Sequence, residues 1–327
     1  MTNAVTTNPV RWGILGTAGI TRGSFLPALR FTQGEAYAVG GREPERTRSF
    51  AQENGISHAV DGYQALIDHP DVDAVYIPLP NSLHAEWTIA ALRAGKPVLC
   101  EKPLCVTVAE CERVLAVARE TGTLLWEAFV FPFQRQMMRV REILDSGQIG
   151  NLQSIQSNFH FLLSDRNNIR LHPELGGGAL YDLGCYPIHL ATQLYGSAPA
   201  QAGGLQELAP EGVDLTTECV EYWPDRRLVF SCGMAGPSDT FSRLVCSEGE
   251  IRVQNIFHAG PRAAVEIRTA DQISVEAAYQ EQPSFAPALS HIQAAIRGDE
   301  PPLHLAVDES LATQIGLEMA RENSHSA

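Results

Sequence analysis

Short apolar runs alternate with helical stretches over the first 130 residues, and this alternation constrains the fold more than any other feature. The runs are apolar on both faces, which is typical of parallel strands covered by helices. They are Arg11–Leu15, Ala36–Gly40, Ala74–Ile77, Pro97–Cys100 and Leu124–Glu127. Helical patterns lie between them, near Glu43–Gly55, Ser82–Ala94 and Val108–Thr121. The alternation predicts an α/β domain with a doubly wound parallel sheet over residues 1–130.

The pattern changes in residues 131–327, which predict a second domain of the α+β class. Several β-rich runs with turn signals between Gly204 and Val275 predict one large, mostly antiparallel open sheet. The chain ends with two predicted helices that can pack back on the first domain, and its last residues, 323–327, are expected to fray. The other predicted elements are a helix near Gln134–Ser146, a strand at Leu152–Leu162, a long helix after a glycine run, and the closing helices near Phe285–Arg297 and Val307–Arg321.

Composition excludes several classes of function. The formal net charge of −14 argues against nucleic acid and anionic membrane as partners, because both require a basic surface. No run approaches the ~18 apolar residues of a membrane helix, and the polar start Met1-Thr2-Asn3 is unlike a signal peptide. The seven cysteines contain no CxxC pair, so we expect reduced core cysteines, no metal site and a cytoplasmic location.

The first βα turn predicts a dinucleotide site. A strand runs into small residues and then into a helix, so the backbone can approach a pyrophosphate and the helix can offer its free N–H groups. In the G-x-G-x-x-G frame that starts at Gly16, Ala18 and Thr21 replace the second and third glycines. Any tight βα turn favours glycine, but the position after the first strand of a βαβ series strengthens the prediction. The predicted contacts are Gly16, Thr17, Ala18, Gly19 and Ile20.

The end of the second predicted strand favours NADP over NAD. NAD-binding chains usually place a carboxylate there for the ribose hydroxyls. This chain has Gly41 and Arg42 instead, with Arg46 one turn later, and an arginine suits a 2′-phosphate. Glu43 has the position of an acid in the first turn of a helix. The alternative is a solvated arginine at a strand end.

A third loop follows the predicted strand Ala74–Ile77. This is the expected point where the strand order of the sheet reverses, and ligands of doubly wound folds bind there. Pro78 and Leu79 open this loop and are predicted to face the cofactor together with Asn81. Asn81 can equally cap the next helix. For His84 two positions stay open, against the nicotinamide ring or simply within the first helical turn.

Lysine is almost absent from the chain. Only Lys96 and Lys102 occur among 24 basic residues, and Lys102 stands between Glu101 and Pro103 at the end of an apolar strand. The charge of a lysine can be tuned by burial and neighbours, whereas arginine stays protonated. We therefore predict a functional amine at Lys102; the alternative is an ordinary strand-end charge.

The long helix after the glycine run Gly176-Gly177-Gly178 carries three polar side chains that can do chemistry. Asp182, Tyr186 and His189 are spaced i, i+4 and i+7, so a regular helix places them on one face. Solvent is the usual environment of such a face. The glycine run permits close approach of a ligand and favours a cleft instead.

Taken together, the Gly16 turn, Glu101-Lys102-Pro103 and the pattern Gly-Gly-Gly-x-Leu-x-Asp-x-Gly at 176–184 resemble the Gfo/Idh/MocA family of NAD(P)-dependent oxidoreductases. The resemblance implies a Rossmann domain, cofactor contacts from Glu101 and Lys102, and a cis bond between Lys102 and Pro103. It also implies a homodimer formed through the second sheet. The tyrosine at 186 is similar to the dimeric dihydrodiol dehydrogenases and the NADP-dependent D-xylose dehydrogenases, where the tyrosine is the acid/base.

These observations predict hydride transfer between NADP and a secondary alcohol or hemiacetal of a sugar, polyol or trans-diol. Tyr186 is the expected acid/base, and Lys102 is expected to favour its phenolate form. Asp182 completes the expected catalytic set, where it orients Lys102 or holds a substrate hydroxyl; the alternative is a helix-face acid in water. Substrate contacts are predicted from Lys102, Asp182, Tyr186 and His189. Two alternatives use the same fold, a non-catalytic NADP-binding regulator and a redox-assisted glycosidase that retains NAD.

Overall fold

The computed structural model describes residues 8–326, so the polar start Met1–Asn3 and the last residue, Ala327, lie outside it. Its first sheet has six strands in the order β3-β2-β1-β4-β5-β6, all paired in parallel, as predicted. The strands are β1 Val10–Leu15, β2 Gly34–Gly41, β3 His58–Asp61, β4 Ala74–Ile77, β5 Val98–Cys100 and β6 Leu125–Glu127. The sequence analysis did not predict β3, because this short edge strand is largely exposed and lacks an apolar run.

Helices cover both faces of this sheet. The segment after β1 begins as a π-helical turn at Thr21–Phe25 and continues into α1, which has Pro27 in its first turn. The apolar positions of the other helices pack on the buried strands. The helices are α1 Leu26–Leu29, α2 Pro44–Asn54, α3 Tyr63–Ile67, α4 His84–Arg93 and α5 Val108–Thr121.

The second sheet has nine strands in the order β14-β13-β12-β11-β7-β10-β9-β8-β15. Its pairs are antiparallel except β10 with β7 and β15 with β8, so the prediction of a mostly antiparallel sheet is confirmed. The strands are β7 Leu152–Leu162, β8 Gln201–Leu208, β9 Asp214–Tyr222, β10 Arg227–Gly233, β11 Ala235–Cys246, β12 Gly249–Gln254, β13 Ala264–Thr269, β14 Ile273–Ala277 and β15 Ser324–Ser326.

The prediction that the end of the chain frays is wrong for residues 323–326. Ser324–Ser326 adds a strand beside β8, and the Ser324 hydroxyl donates to the carbonyl of Ala320. Gly204 of β8 leaves room for this strand, since a Cβ there would lie 2.8 Å from the Ser324 hydroxyl oxygen.

Four further helices are α6 Arg135–Ser146, α7 Cys185–Tyr195, α8 Phe285–Arg297 and α9 Ala306–Glu322. Helix α8 packs on the first sheet with Phe285, Leu289 and Ile292, whereas α7 packs on the inner face of the second sheet. Helix α9 lies between α5 and α7 and so joins the two halves of the chain. This packing brings the carboxyl ends of β1, β4 and β5 towards the start of α7.

The outer face of the second sheet is open and carries apolar side chains. Strand register places Leu205, Tyr222, Val229, Ile273 and Val275 on the face opposite the helices, and all five are exposed. These residues form two groups, one on β8, β9 and β10 and one on the edge strand β14, and ion pairs of Arg243 and Arg252 with Glu250 lie on the strands between them. Clustered apolar residues on an open sheet face are typical of a contact surface.

Candidate active site

The first βα turn forms a small-residue cradle at the end of β1. Gly16 has a φ of +83°, a conformation that side-chain-bearing residues rarely adopt, and its N–H donates to the carbonyl of Gly40 at 2.7 Å. A Cβ at Gly16 would lie 2.9 Å from Leu79. Thr17 and Ala18 are half-buried, while Gly19 and Ile20 are exposed at the start of the helical segment. The turn therefore presents backbone and an open helix start, as a pyrophosphate requires.

Two guanidinium groups lie near the end of β2. Gly41 is buried, where a Cβ would collide with the Thr47 hydroxyl. Arg42 is exposed, and the Arg46 side chain is also exposed, with only a loose 4.0 Å approach to Glu43. Gly40, which accepts the hydrogen bond from Gly16, lies two residues before Arg42 in the chain. The positive charge of the arginines is therefore close to the cradle, where it can bind a phosphate.

The loop after β4 joins the two halves of the site. Pro78 and Leu79 are buried, with Leu79 against the Gly16 cradle. The Asn81 side-chain amide donates to the carbonyl of Gly176 at 2.8 Å, which ties this loop to the glycine run before α7.

For His84 the structure shows the second of the two positions that the sequence left open, within the first turn of a helix. The residue lies in the first turn of α4, is fully buried, and its ring nitrogens contact the carbonyls of Pro103 at 2.7 Å and Leu79 at 2.8 Å. Burial lowers the pKa of its imidazole, and this effect outweighs the hydrogen bonds to the two carbonyls, which raise the pKa. His84 therefore holds two site loops together and has no free nitrogen for a ligand.

Lys102 is held by Asp182. Its ammonium donates to the backbone carbonyl of Asp182 at 2.6 Å and to the carboxylate at 2.9 Å. The Lys102–Pro103 bond is cis, as predicted. Burial opposes the charge on Lys102, but the Asp182 carboxylate outweighs it, so the pKa of the ammonium lies above its ordinary value. Lys102 is thus fully protonated at neutral pH.

Arg170 is a site residue that the sequence analysis missed. Its guanidinium donates two hydrogen bonds to the Asp182 carboxylate, at 2.6 Å and 3.2 Å, and a third to Asn168 at 3.3 Å. Burial alone raises the pKa of Asp182, yet the two cations lower it well below its usual range. Asp182 is therefore an anion shared between Lys102 and Arg170. No local sequence signal distinguishes Arg170 from its neighbours in this loop.

Tyr186 stands in an aromatic enclosure next to Lys102. The Lys102 Nζ lies 5.1 Å from the centre of the tyrosine ring. The surrounding rings have centres 5.1 to 6.4 Å away and belong to Phe129, Phe131, Phe159, Phe257 and His258. Among residues 8–326, no hydrogen bond occupies the phenol oxygen. The amine and the phenol predicted from opposite halves of the chain are therefore brought together.

The expected electrostatic effect on Tyr186 is only partly present. Lys102 does lower the pKa of the phenol, but burial is the larger cause and raises it above its ordinary value. Lys102 therefore acts in the predicted direction and favours the phenolate, but burial outweighs it. Tyr186 holds its proton at neutral pH.

His189 and Glu101 turn away from the cleft. His189 is buried, stacks on Phe129 at 3.9 Å and contacts the Thr313 hydroxyl at 2.9 Å, and burial lowers its pKa to about 3. The predicted common face assumed regular α-helical spacing, which the π-helical turn Leu180–Gly184 breaks. Glu101 accepts a 2.6 Å hydrogen bond from the Tyr76 hydroxyl beneath the sheet end. Both side chains are therefore engaged by protein partners.

Comparison with known proteins identifies the family. Residues 10–129 match the family model described as "Oxidoreductase family, NAD-binding Rossmann fold". Residues 137–252 match the model for the GFO/IDH/MocA C-terminal domain. The chain belongs to the Gfo/Idh/MocA oxidoreductase family. This membership confirms the resemblance seen in the sequence and makes the protein an oxidoreductase of a family that includes many sugar-related enzymes.

Several relatives in this family have named activities. The chain is 36% identical to a D-xylose 1-dehydrogenase (NADP+) of Haloferax volcanii over 78% of its length and 79% of that protein. It is 30% identical to a trans-1,2-dihydrobenzene-1,2-diol dehydrogenase of Xenopus laevis, with 76% of each chain covered. A 3-ketoreductase of Actinomadura kijaniata, solved with NADP and TDP-benzene, superposes with a TM-score of 0.87 at 32% identity over 98% of this chain and 99% of that one.

The described residues include no helix that is both long and apolar enough to cross a membrane. Within the same residues, no group of three or more histidine, cysteine, aspartate or glutamate side chains is arranged to hold a metal ion.

Proposed function

We propose that this oxidoreductase transfers a hydride between NADP and a secondary alcohol or hemiacetal carbon of a sugar, polyol or trans-diol. The observation that carries the proposal is the Lys102 ammonium, anchored by Asp182 and adjacent to the ring of Tyr186. Lys102 follows β5 in the same parallel sheet whose strand β1 ends at the Gly16 cradle, which supports a site in which this cation and proton donor hold a substrate oxygen beside the cofactor.

The residues at the first sheet fit NADP. The Gly16 cradle and the exposed start of the following helical segment suit a pyrophosphate, and Arg42 and Arg46 suit a 2′-phosphate. When bound, NADP supplies the hydride chemistry. The NADP bound in the A. kijaniata enzyme and the NADP dependence of the H. volcanii relative support the same cofactor here.

Tyr186 is the proton donor in the direction of reduction. Its phenol is protonated because burial raises its pKa, and a neutral phenol gives its proton to the oxygen that gains negative charge. In oxidation the same oxygen accepts the hydroxyl proton, helped by the nearby Lys102 charge, which lowers the phenol pKa. Structures of the A. kijaniata enzyme include a tyrosine-to-phenylalanine variant, which marks a tyrosine as a residue of interest in that protein.

Lys102 polarises the substrate oxygen. An ammonium has three N–H donors, and Asp182 takes two of them, so one remains for a ligand. Arg170 neutralises the rest of the Asp182 charge and holds the carboxylate from the other side. The two cations and one anion leave a net positive charge beside the phenol, which stabilises a developing alkoxide.

A spectrophotometric screen tests the proposal. NADP⁺ reduction is followed with aldoses, polyols and trans-diols, and NADPH oxidation with the matching ketones, beside the same assays with NAD⁺ and NADH. The proposal predicts turnover with at least one of these classes and a preference for NADP. Tight NADPH binding without turnover on any of them would instead favour a regulator. The named dehydrogenases and reductases among the relatives do not favour that alternative or the glycosidase.

We also place the protein in the cytoplasm as a homodimer formed through the outer face of the second sheet. The exposed apolar groups on that face suit a partner surface, and a second copy supplies the same surface in an isologous contact. Light scattering at micromolar concentration should give twice the chain mass of 35.6 kDa. Val229→Arg, in the middle of this face, should give the chain mass, whereas Phe31→Arg, exposed on the first domain, should not. A wild-type monomer would contradict the dimer.

A further inference from the structure

One imidazole on the wall of the cleft has no role in the account above. His258 follows β12 in a tight turn, where Asn255 has a φ of +51° and accepts the His258 backbone N–H at 3.0 Å. The centre of its ring lies 5.6 Å from the ring of Tyr186 and 5.7 Å from that of Phe159. The turn therefore places the ring of His258 beside Tyr186, the proposed proton donor.

His258 combines exposure to solvent with close protein surroundings. The residue is exposed to solvent, yet protein packs around it closely enough that burial lowers the pKa of its imidazole to about 4. The Lys102 charge lowers this pKa further and Asp182 opposes it, so both charged site residues act on the ring. His258 is neutral at physiological pH and offers one N–H donor and one bare nitrogen acceptor.

These hydrogen-bonding groups are free. Within residues 8–326, neither ring nitrogen of His258 has a protein partner, although its backbone N–H does. The other two histidines of this region differ, because the ring nitrogens of His84 and His189 contact carbonyl, hydroxyl or carboxylate groups. A neutral imidazole with open nitrogens, on a cleft wall beside Tyr186, is placed to bind a ligand.

We propose that His258 hydrogen-bonds the hydroxyl on the carbon next to the reacting carbon, and so makes the enzyme select substrates that carry a hydroxyl there. The assignment rests on the proposed function, in which Tyr186 and Lys102 hold the oxygen of the reacting carbon. The two ring centres are 5.6 Å apart, so a polyhydroxylated chain or ring whose reacting oxygen is held at Tyr186 has its neighbouring hydroxyl groups close to His258. The aromatic neighbours Phe159 and Phe257 offer the ring faces that a sugar or cyclic diol packs against.

A matched pair of sugars tests this assignment. D-Glucose and 2-deoxy-D-glucose differ only in the hydroxyl next to the hemiacetal carbon. Loss of one neutral hydrogen bond changes affinity by about two- to tenfold, and a polar site left unpaired adds to the discrimination. Wild type should therefore prefer D-glucose in kcat/KM by about tenfold. His258→Phe keeps an aromatic ring but should lose this preference, mainly through a higher KM for D-glucose.

Three further readouts separate this role from a structural one. NADPH affinity and the kcat/KM for 2-deoxy-D-glucose should be unchanged in His258→Phe, and His258→Gln should recover part of the preference. His325→Phe, which alters an exposed histidine on β15, should behave as wild type. A preference that survives intact in His258→Phe would overturn the assignment while leaving the proposed function in place.

A second measurement applies if wild type oxidises neither hexose. Diethyl pyrocarbonate modifies accessible neutral histidines, and mass spectrometry reports each site. In the presence of NADPH, saturating D-glucose should slow modification of His258 and leave His325 unchanged. Equal rates with and without the sugar would overturn the His258 assignment. Absence of turnover with every compound of the wider screen would count separately, against the proposed function.

Discussion

At the scale of single residues, the site has a permanent positive charge on Lys102 and a transferable proton on Tyr186. Lys102 stays charged because the Asp182 carboxylate outweighs its burial, whereas Tyr186 stays protonated because burial outweighs Lys102. Arg170 shares the Asp182 carboxylate and keeps it ionised. The result is a fixed cation beside a neutral acid, which is the arrangement that carbonyl reduction requires.

Tyr186→Phe removes the transferable proton and little else, since the ring and its aromatic contacts remain. Positioned proton transfer typically contributes ~10²–10⁴-fold, so turnover should fall by at least about 100-fold. NADPH binding, followed by fluorescence titration, should be unchanged. Near-normal turnover would remove Tyr186 from the mechanism.

Lys102→Arg should also abolish most activity although it keeps the charge. The planar guanidinium is larger, and it cannot reproduce a point charge that donates to the Asp182 carbonyl and carboxylate together. Turnover should drop by at least about tenfold, on the scale of a lost positioned donor. The only other lysine provides the control, because Lys96→Arg lies in a distant turn where Lys96 donates to the carbonyls of His69 and Val72. Equal activity of Lys102→Arg and Lys96→Arg would contradict the role.

At the scale of helices and strands, much of the site follows from local signals. The glycine at 16 and the lysine at 102 could be predicted because a tight βα turn and a rare amine are visible in the sequence itself. The orientations of His84 and His189 could not be predicted, because they depend on packing against loops and against α9. Arg170 and His258 come from irregular segments, where no periodicity fixes the direction of a side chain.

A buried acid in the second sheet makes stability depend on pH. Glu221 of β9 is fully buried, neither of its oxygens has a partner among the described residues, and burial raises its pKa to about 8. Between about pH 4.5 and 8 the folded state therefore binds this proton and the unfolded state does not. Stability contributed by the neutral acid is present at low pH and lost as pH rises through this window.

Glu221→Gln, a neutral isostere, should therefore stabilise the protein more at pH 8 than at pH 5. The difference in the free energy of unfolding between variant and wild type should grow by on the order of 4 kcal/mol over that range. Urea unfolding at both pH values measures it. Glu218→Gln, exposed on the same strand, should show no such growth. A gap that is equal at both pH values would refute the burial of an unpaired acid at this position.

At the scale of the whole molecule, the fold builds the site from distant parts of the chain. The cofactor cradle and Lys102 come from the ends of parallel strands, and Tyr186 comes from the start of α7. Helix α9 and the Asn81 contact with Gly176 hold these parts together. The fold class and the family were predictable because they rest on alternation and motifs, whereas the meeting of loops over the cleft required the three-dimensional structure.

The central claim is that the amine and the phenol act on one substrate oxygen. A crystal structure of the ternary complex with NADP and a sugar from the screen measures this directly. The account predicts one sugar oxygen within about 3 Å of both Tyr186 Oη and Lys102 Nζ. A sugar bound with no oxygen near either group, in an enzyme that still turns it over, would contradict the account.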